Sequence, residues 1–377
     1  MGPPIFIGKQ RTFIRKQHIV EKRKLMSFFR TASFVLAMAV LSRQANGEVL
    51  FNDIHFHPTN YIQEGITLQS FVDDIMGEAV QRAIVAPLPL QQKWDAFVSG
   101  DRAPDYYLRS DASLYYYSFA DAMVATEYLA LSSGDRARLD PMIVGFNPTD
   151  MYAADHIRRV VRLYPGVFSG IGEFSVHKEF VSAKVSGHTA SLLNPALDRI
   201  FEAASEIGLV VLIHCDINTV FGPNGPEDDT TSHFDDLMAL FKRHPKAQAI
   251  WAHTGLGRFV APSPDHLKLL EQLLNDPELD HVSLDISWDL LGNYLNSEVE
   301  GWDALIEAHP TRFLFGTDSV APGSQESYIA NYEAFQPIWN ALSPDVLRKV
   351  ARENYIKIMD VARASVRAWE VAQEVAD

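Results

Sequence analysis

The chain has 377 residues, 47% hydrophobic, 21% charged and 11% aromatic, a composition that excludes a fibre or a low-complexity disordered chain. Residues 1–47 hold nine Lys/Arg and one acid, so residues 48–377 hold 24 bases against 47 acids, a formal charge of −23. A body this acidic repels phosphate backbones and anionic lipid, which argues against nucleic-acid and membrane-surface partners. The one cysteine, Cys215, excludes an internal disulfide framework and a cysteine-based zinc site.

The basic N-terminus reads as a targeting segment. After Arg30 comes an apolar run, Ala32 to Leu41, too short to span a bilayer as an ordinary helix. Small residues at Ala45 and Gly47 then fit the pattern recognised by signal peptidase. The expectation is a signal peptide within residues 1–47, starting at Met26 and cleaved after Gly47. It would leave residues 48–377 as an exported domain, periplasmic or secreted, with no stable membrane association. An uncleaved N-terminal anchor helix is the competing reading.

Eight short β-branched, apolar runs follow: Val49–His57, Gln81–Pro87, Met142–Asn147, Phe168–Phe174, Leu209–Asp216, Ala247–Thr254, His281–Ser287 and Arg312–Ser319. Between them, apolar residues recur at helical spacing, as in Leu197-Ile200-Phe201-Ala204. This alternation predicts βαβ units on a parallel sheet, and eight units are the count of a closed (β/α)₈ TIM barrel. An open doubly wound sheet is the alternative, but no G-x-G-x-x-G follows the first strand. The interval Leu88–Pro141 is too long for an ordinary connection and reads as an insertion after strand two. Its tyrosines, including Tyr106, Tyr107 and Tyr115 to Tyr117, could line a pocket, although packing of a helical insertion is the simpler expectation. A Gly/Pro/Asp-rich loop, Asn218 to Thr231, follows strand five. Pro344 to Val375 reads as extra C-terminal helix on the outside.

Polar residues gather at one end of these strands. Strand one closes on Asp53-Ile54-His55-Phe56-His57, and i, i+2 alternation projects His55 and His57 together into the barrel mouth. Two imidazoles on a face suited to apolar side chains need a compensating partner, and a shared divalent metal supplies one. Strand five ends in His214, strand six in His253 and strand eight in Asp318, all at the carboxyl ends where barrel active sites lie. A buried structural histidine explains any one of these but not their convergence. Imidazole and carboxylate are the usual ligands of catalytic zinc and related ions.

The pieces IHFH at 54–57, GIGEF at 170–174, VLIHCD at 211–216, IWAHTGLGR at 250–258 and FLFGTDSVAP at 313–322 resemble the amidohydrolase superfamily, in its amidohydrolase-related branch of metal-dependent hydrolases and decarboxylases. The resemblance implies a divalent metal, zinc foremost, as one or two ions. It implies that His55, His57, His214 and Asp318 are ligands and that His253 is the strand-six histidine. Many binuclear members bridge two metals with a carboxylated lysine on strand four, and others use glutamate. Here the position is Glu173, either a ligand or a residue orienting one, while Lys178 lies at the far end of the segment and is not assigned the bridging role.

The expected reaction is attack of an activated water on a small-molecule ester, lactone or amide. Asp318 would take and return the proton and His253 or the metal would polarise the carbonyl. The alternatives are a metal-dependent decarboxylase and an exported binding protein that turns nothing over. Arg258 is a candidate for a substrate carboxylate, and Asn60 and Tyr61 are further substrate-binding candidates. Asp285 and Trp288 could line the pocket, Asp53 reads as a structural hydrogen-bonding residue, Trp251 as barrel core and Cys215 as a buried residue facing the helices. His177, His188, His233 and His281 read as surface histidines. The expected partner is a small-molecule substrate, with homo-oligomerisation left open.

Overall fold

Each of the eight predicted strands forms close to its expected span in the computed structural model, which describes residues 49–187, 191–218 and 233–374. The first is split into β1 (Phe51–Asp53) and β2 (Phe56–His57), followed by β3 (Val80–Val85). The insertion opens with β4 (Leu90–Gln92) and β5 (Leu114–Tyr116), and then come β6 (Leu139–Ile143), β7 (Gly170–His177), β8 (Val210–Cys215), β9 (Ala249–Trp251) and β10 (Val282–Asp285). The eighth strand is again in two pieces, β11 (Phe313–Leu314) and β12 (Ser319–Val320). The sheet runs β1-β3-β6-β7-β8-β9-β10-β11, every pair parallel. It closes on itself. Ile54 N–H donates to the Phe315 carbonyl at 3.2 Å, Asp318 N–H to the His55 carbonyl at 2.7 Å, and β12 pairs with β2 in the register Ser319–Phe56 and Val320–His57. The molecule is a (β/α)₈ barrel.

Local sequence explains the outer layer. In the helix Pro195–Ile207, Asn194 caps the N-terminus through the Ala196 N–H, Pro195 sits where no donor is needed, and Gly208 ends it at φ 87°. Leu197, Ile200, Phe201 and Ala204 are fully buried against the sheet. The inner layer is a separate cluster, with Ile54, Ile84, Met142, Val144, Leu212, Ile250 and Leu314 filling the barrel.

Three expectations change here. Trp251 belongs to the outer layer: it packs near Phe234 and donates its indole N–H to the Cys215 carbonyl at 2.9 Å, while Ile250 and Ala252 face inward. Alternation does not carry from Trp251 to His253, because His253 (φ 52°) and Thr254 (φ 53°) leave the extended conformation. The helix Asn354–Glu374 does more than cover the outside, since its Tyr355, Met359 and Ala362 join the inner cluster. Tyr355 also donates to Asp140 at 2.7 Å, beside Arg82 at 2.8 Å and Arg363, a buried charged network with its acceptors filled. The insertion, expected to be helical, begins as an antiparallel hairpin of β4 and β5, and only then forms the helix Phe119–Ala130. Cys215 is buried in the outer layer as expected.

The predicted signal segment, the loop residues 219–231 and His188 lie outside the described residues. No helix among the described residues is long and apolar enough to cross a membrane.

Candidate metal centre

Closure of the barrel builds the site. Asp53, at the end of β1, accepts from the His55 N–H at 2.9 Å, the Thr317 N–H at 2.9 Å, the Thr317 hydroxyl at 2.6 Å and the Tyr328 hydroxyl at 2.5 Å. One buried carboxylate thus ties the first strand to the turn that presents Asp318, which is the structural role expected of it. Asp318 itself adopts φ 48°, and His253 and Trp288 (φ 84°) are also left-handed. Non-glycine residues held in that region cost energy, and such strain collects at functional sites.

His55 and His57 sit with ring centroids 5.0 Å apart, both buried. His57 Nδ1 lies 2.7 Å from the Ala86 carbonyl, which can only accept, so Nδ1 carries the proton and Nε2 the lone pair. His55 Nδ1 lies 2.7 Å from Asp285 Oδ2 and is fixed the same way. Both Nε2 atoms therefore aim lone pairs at one point, buried and without a hydrogen-bond partner. Facing them are Asp318 Oδ1, 3.1 Å from His57 Nε2 and 3.5 Å from His55 Nε2, and Glu173 Oε2 at 3.6 and 3.7 Å. Lone pairs of the neutral rings and carboxylate oxygens converge there, and a buried arrangement of that kind requires a cation, a proton or a metal ion. The charge balance agrees. Burial would lower His55, yet Asp318, Asp285 and Glu173 raise it well above an ordinary imidazole. Burial would raise Asp318, yet His55, His253 and His57 hold it well below the usual carboxylate range. The residues present fit a divalent metal, with His55, His57 and Asp318 as one group of donors.

Glu173, His214 and His253 form a second group. Gly172 allows it: its φ is 98°, and a Cβ there would meet the Leu212 carbonyl oxygen at 1.9 Å. Glu173 Oε1 takes His214 Nδ1 at 2.7 Å and Lys178 Nζ at 3.1 Å. His214 Nε2 lies 2.9 Å from Asp216 Oδ1, so carboxylates bracket the ring. Burial and Lys178 push His214 down, but Asp216 and Glu173 outweigh them and lift it to about 9. His253 differs: burial carries it down to about 4, so it is neutral at pH 7. Ser287 donates to Asp285 at 2.8 Å, which leaves its oxygen to accept from His253 Nδ1 at 3.0 Å. His253 Nε2 then faces Asp318 Oδ2 at 3.7 Å.

Above these groups lies a cavity of about 270 Å³, lined on one side by His57, His253 and Asp318 and on the other by Tyr61, Tyr106, Tyr107, Arg258 and Trp288. Arg258 is held by the Tyr107 hydroxyl at 2.9 Å and lies over the Tyr106, Tyr107 and Trp288 rings at 5.3, 5.8 and 5.4 Å. Asn60 reaches the lining, but its Oδ1 accepts the Ile62 and Glu64 N–H groups and shapes its own turn. Tyr61 is buried against Tyr106 and Tyr107. Of the insertion's tyrosines, Tyr106 and Tyr107 therefore line the pocket, and Tyr115 to Tyr117 do not. Asp285 does not reach it and instead orients His55. The roles of Lys178, Ser287 and Asp216 were not legible in sequence, because their partners stand on other strands or depend on a fold-back. The Asp-x-Ser closing strand seven and the His-x-Asp closing strand five were the available signals. His177 and His233 are half-buried and stacked at 3.6 Å, and His281 bonds the Phe241 carbonyl.

A comparison with curated proteins finds no match. Among solved structures, a candidate 2-pyrone-4,6-dicarboxylic acid hydrolase from Pseudomonas putida is similar at 12% identity and TM-score 0.51, over 83% of this chain and 98% of its own. An amidohydrolase from Burkholderia multivorans, crystallised with bound zinc, is similar at 14% identity and TM-score 0.50, over 83% and 99%. The same protein with bound HEPES gives 13% identity and TM-score 0.50, over 83% and 99%. At such identities the likeness concerns the fold. The amidohydrolase family model matches residues 53–358, from the Asp53 clasp to the C-terminal helix, and the chain belongs to the amidohydrolase family.

Proposed function

We propose that the protein is a divalent-metal-dependent hydrolase of a small anionic ester, lactone or amide. The observation that carries this reading is the pair of buried, partnerless Nε2 atoms of His55 and His57 facing Asp318. His55, His57 and Asp318 would hold the ion, zinc being the first choice for imidazole and carboxylate. When bound, such an ion lowers the pKa of water from about 15.7 toward about 7 and polarises a carbonyl.

The chain's own residues supply the rest. Asp318, held as a carboxylate, takes a proton from the attacking water with Oδ2 and returns it to the leaving oxygen or nitrogen. Neutral His253, its Nδ1–H fixed by Ser287, keeps Nε2 toward Asp318 and the cavity, where it positions the water. Arg258, pre-set by Tyr107 and three aromatic faces, receives a substrate carboxylate, and Tyr61, Tyr106 and Trp288 exclude water around the substrate body. Export after cleavage at Gly47 is part of the proposal, supported by the basic-apolar-small pattern of residues 26–47 and tested by N-terminal sequencing of exported protein.

The test measures bound metal by elemental mass spectrometry in the wild type and in a His55→Ala/His57→Ala variant. A panel of lactones, esters and amides bearing a carboxylate is assayed alongside, before and after chelation. Metal lost in the variant and hydrolysis lost on chelation are expected. Carbon dioxide released from the acids without hydrolysis would replace the reading with decarboxylation. A metal-free protein without turnover would return it to a binding protein.

A further inference from the structure

Glu173 belongs to the second group of ligand-type atoms and faces the first, and the two groups differ in one respect. His55 Nε2 and His57 Nε2 are buried without a hydrogen-bond partner. Around Glu173, His214 and His253 the negative charge is already met. Lys178 leaves the end of β7 and folds back five residues, placing Nζ 3.1 Å from Glu173 Oε1 and 3.4 Å from Oε2. Its side chain is 17% exposed and faces the cavity, and it is the one Lys or Arg ion-paired with Glu173 among the described residues. A carboxylate that bridges two metals gives one oxygen to each. Here Oε2 faces His55 and His57, while Oε1 takes His214 and the shorter of the two contacts with the ammonium.

We propose that the Lys178 ammonium stands in the place of a second metal ion and holds the centre to a single divalent cation at His55, His57 and Asp318. The proposal rests on the metal-dependent reading above and adds the number of ions to it. The physical reason is charge. A second divalent ion on Glu173 Oε1 would lie against the ammonium in a largely buried pocket, where like charges are less screened than in water. His214, clamped between Glu173 and Asp216, would have to give up one of its two charge-assisted hydrogen bonds to serve it. Sequence spacing alone placed Lys178 at the far end of its segment, and the fold back onto Glu173 is what gives it this part.

The experiment is metal stoichiometry of the full chain loaded with Mn(II), read by elemental mass spectrometry and electron paramagnetic resonance. The wild type and the Lys178→Met and Lys178→Arg variants are compared. About one equivalent is expected in the wild type and in Lys178→Arg, which keeps the charge, and about two in Lys178→Met, with the exchange-coupled signal of neighbouring Mn(II) ions. If Lys178→Met does not fold, Lys178→Gln carries the same comparison. Two ions in the wild type, or one in a folded neutral variant, overturns the role of Lys178 and leaves metal dependence standing. No ion in the wild type overturns the metal-dependent reading itself.

Discussion

Asp285→Asn isolates the part of the site that lies behind the ligands. Asp285 is fully buried, and its Oδ2 accepts from His55 Nδ1 at 2.7 Å, which fixes the tautomer that turns the Nε2 lone pair inward. An asparagine that keeps its oxygen on the Ser287 N–H places an NH2 where Oδ2 stood, so the charge-assisted acceptor for His55 Nδ1–H is lost. A hydrogen bond to a charged group contributes about 1.5–3 kcal/mol, roughly 10- to 150-fold in an equilibrium constant. Partners behind a metal-binding histidine are worth about 10- to 100-fold in metal affinity. Ser287 Oγ, 3.2 Å from the same nitrogen, can take over part of the contact, so a loss of about tenfold is expected. Metal binding stabilises the fold by mass action, so the gain in the unfolding midpoint on adding metal should shrink with the affinity. Competition against a chromogenic chelator gives the affinity, and thermal unfolding with and without metal gives the second reading. Unchanged affinity, or an apo protein destabilised as much as the loaded one, would refute the reasoning.

Three further predictions follow from the same geometry. Asp318→Asn should keep the fold and reduce kcat by roughly 10²- to 10⁴-fold, the usual contribution of a proton-transferring group; circular dichroism and turnover on the best panel substrate check it, and near-native kcat rejects the assignment. Arg258→Met should raise KM about 10- to 100-fold for carboxylate-bearing substrates while leaving their uncharged analogues nearly unaffected, since it removes a charge-assisted contact; equal effects on both would show that Arg258 only packs. His266, which lies 2.9 Å from the Thr254 carbonyl and 3.3 Å from the Tyr294 hydroxyl, is carried by burial from 6.5 down to about 4. A histidine depressed in the fold gives stability that is complete above about 6.5 and is lost as pH falls toward 4, up to about 3 kcal/mol. The denaturant midpoint of the wild type minus that of His266→Gln should therefore fall across that window, and a flat difference would contradict it.

Much of the architecture was written in the sequence because barrel strands are short apolar runs whose order in the chain is their order around the sheet. All eight were legible, and the terminal His55, His57, His214, His253 and Asp318 marked the catalytic end, since βα-loops gather there by topology alone. Alternation also placed Cys215 against the helices. It failed for Trp251, because β9 ends there and His253 turns left-handed, a backbone choice that no periodicity announces. It failed again for the insertion, whose Tyr106 and Tyr107 reach the cavity by a hairpin and a long irregular loop. What only the tertiary structure decided is how charge is distributed. Lys178 meets Glu173 after a fold-back, Asp285 meets His55 across 230 residues, and Asp53 ties strand one to strand eight across 264. Local sequence sets which residues stand at a strand end. Which of them share a proton, a counter-ion or an unfilled space depends on closing the barrel, and that closure brings together groups with no proximity in the chain.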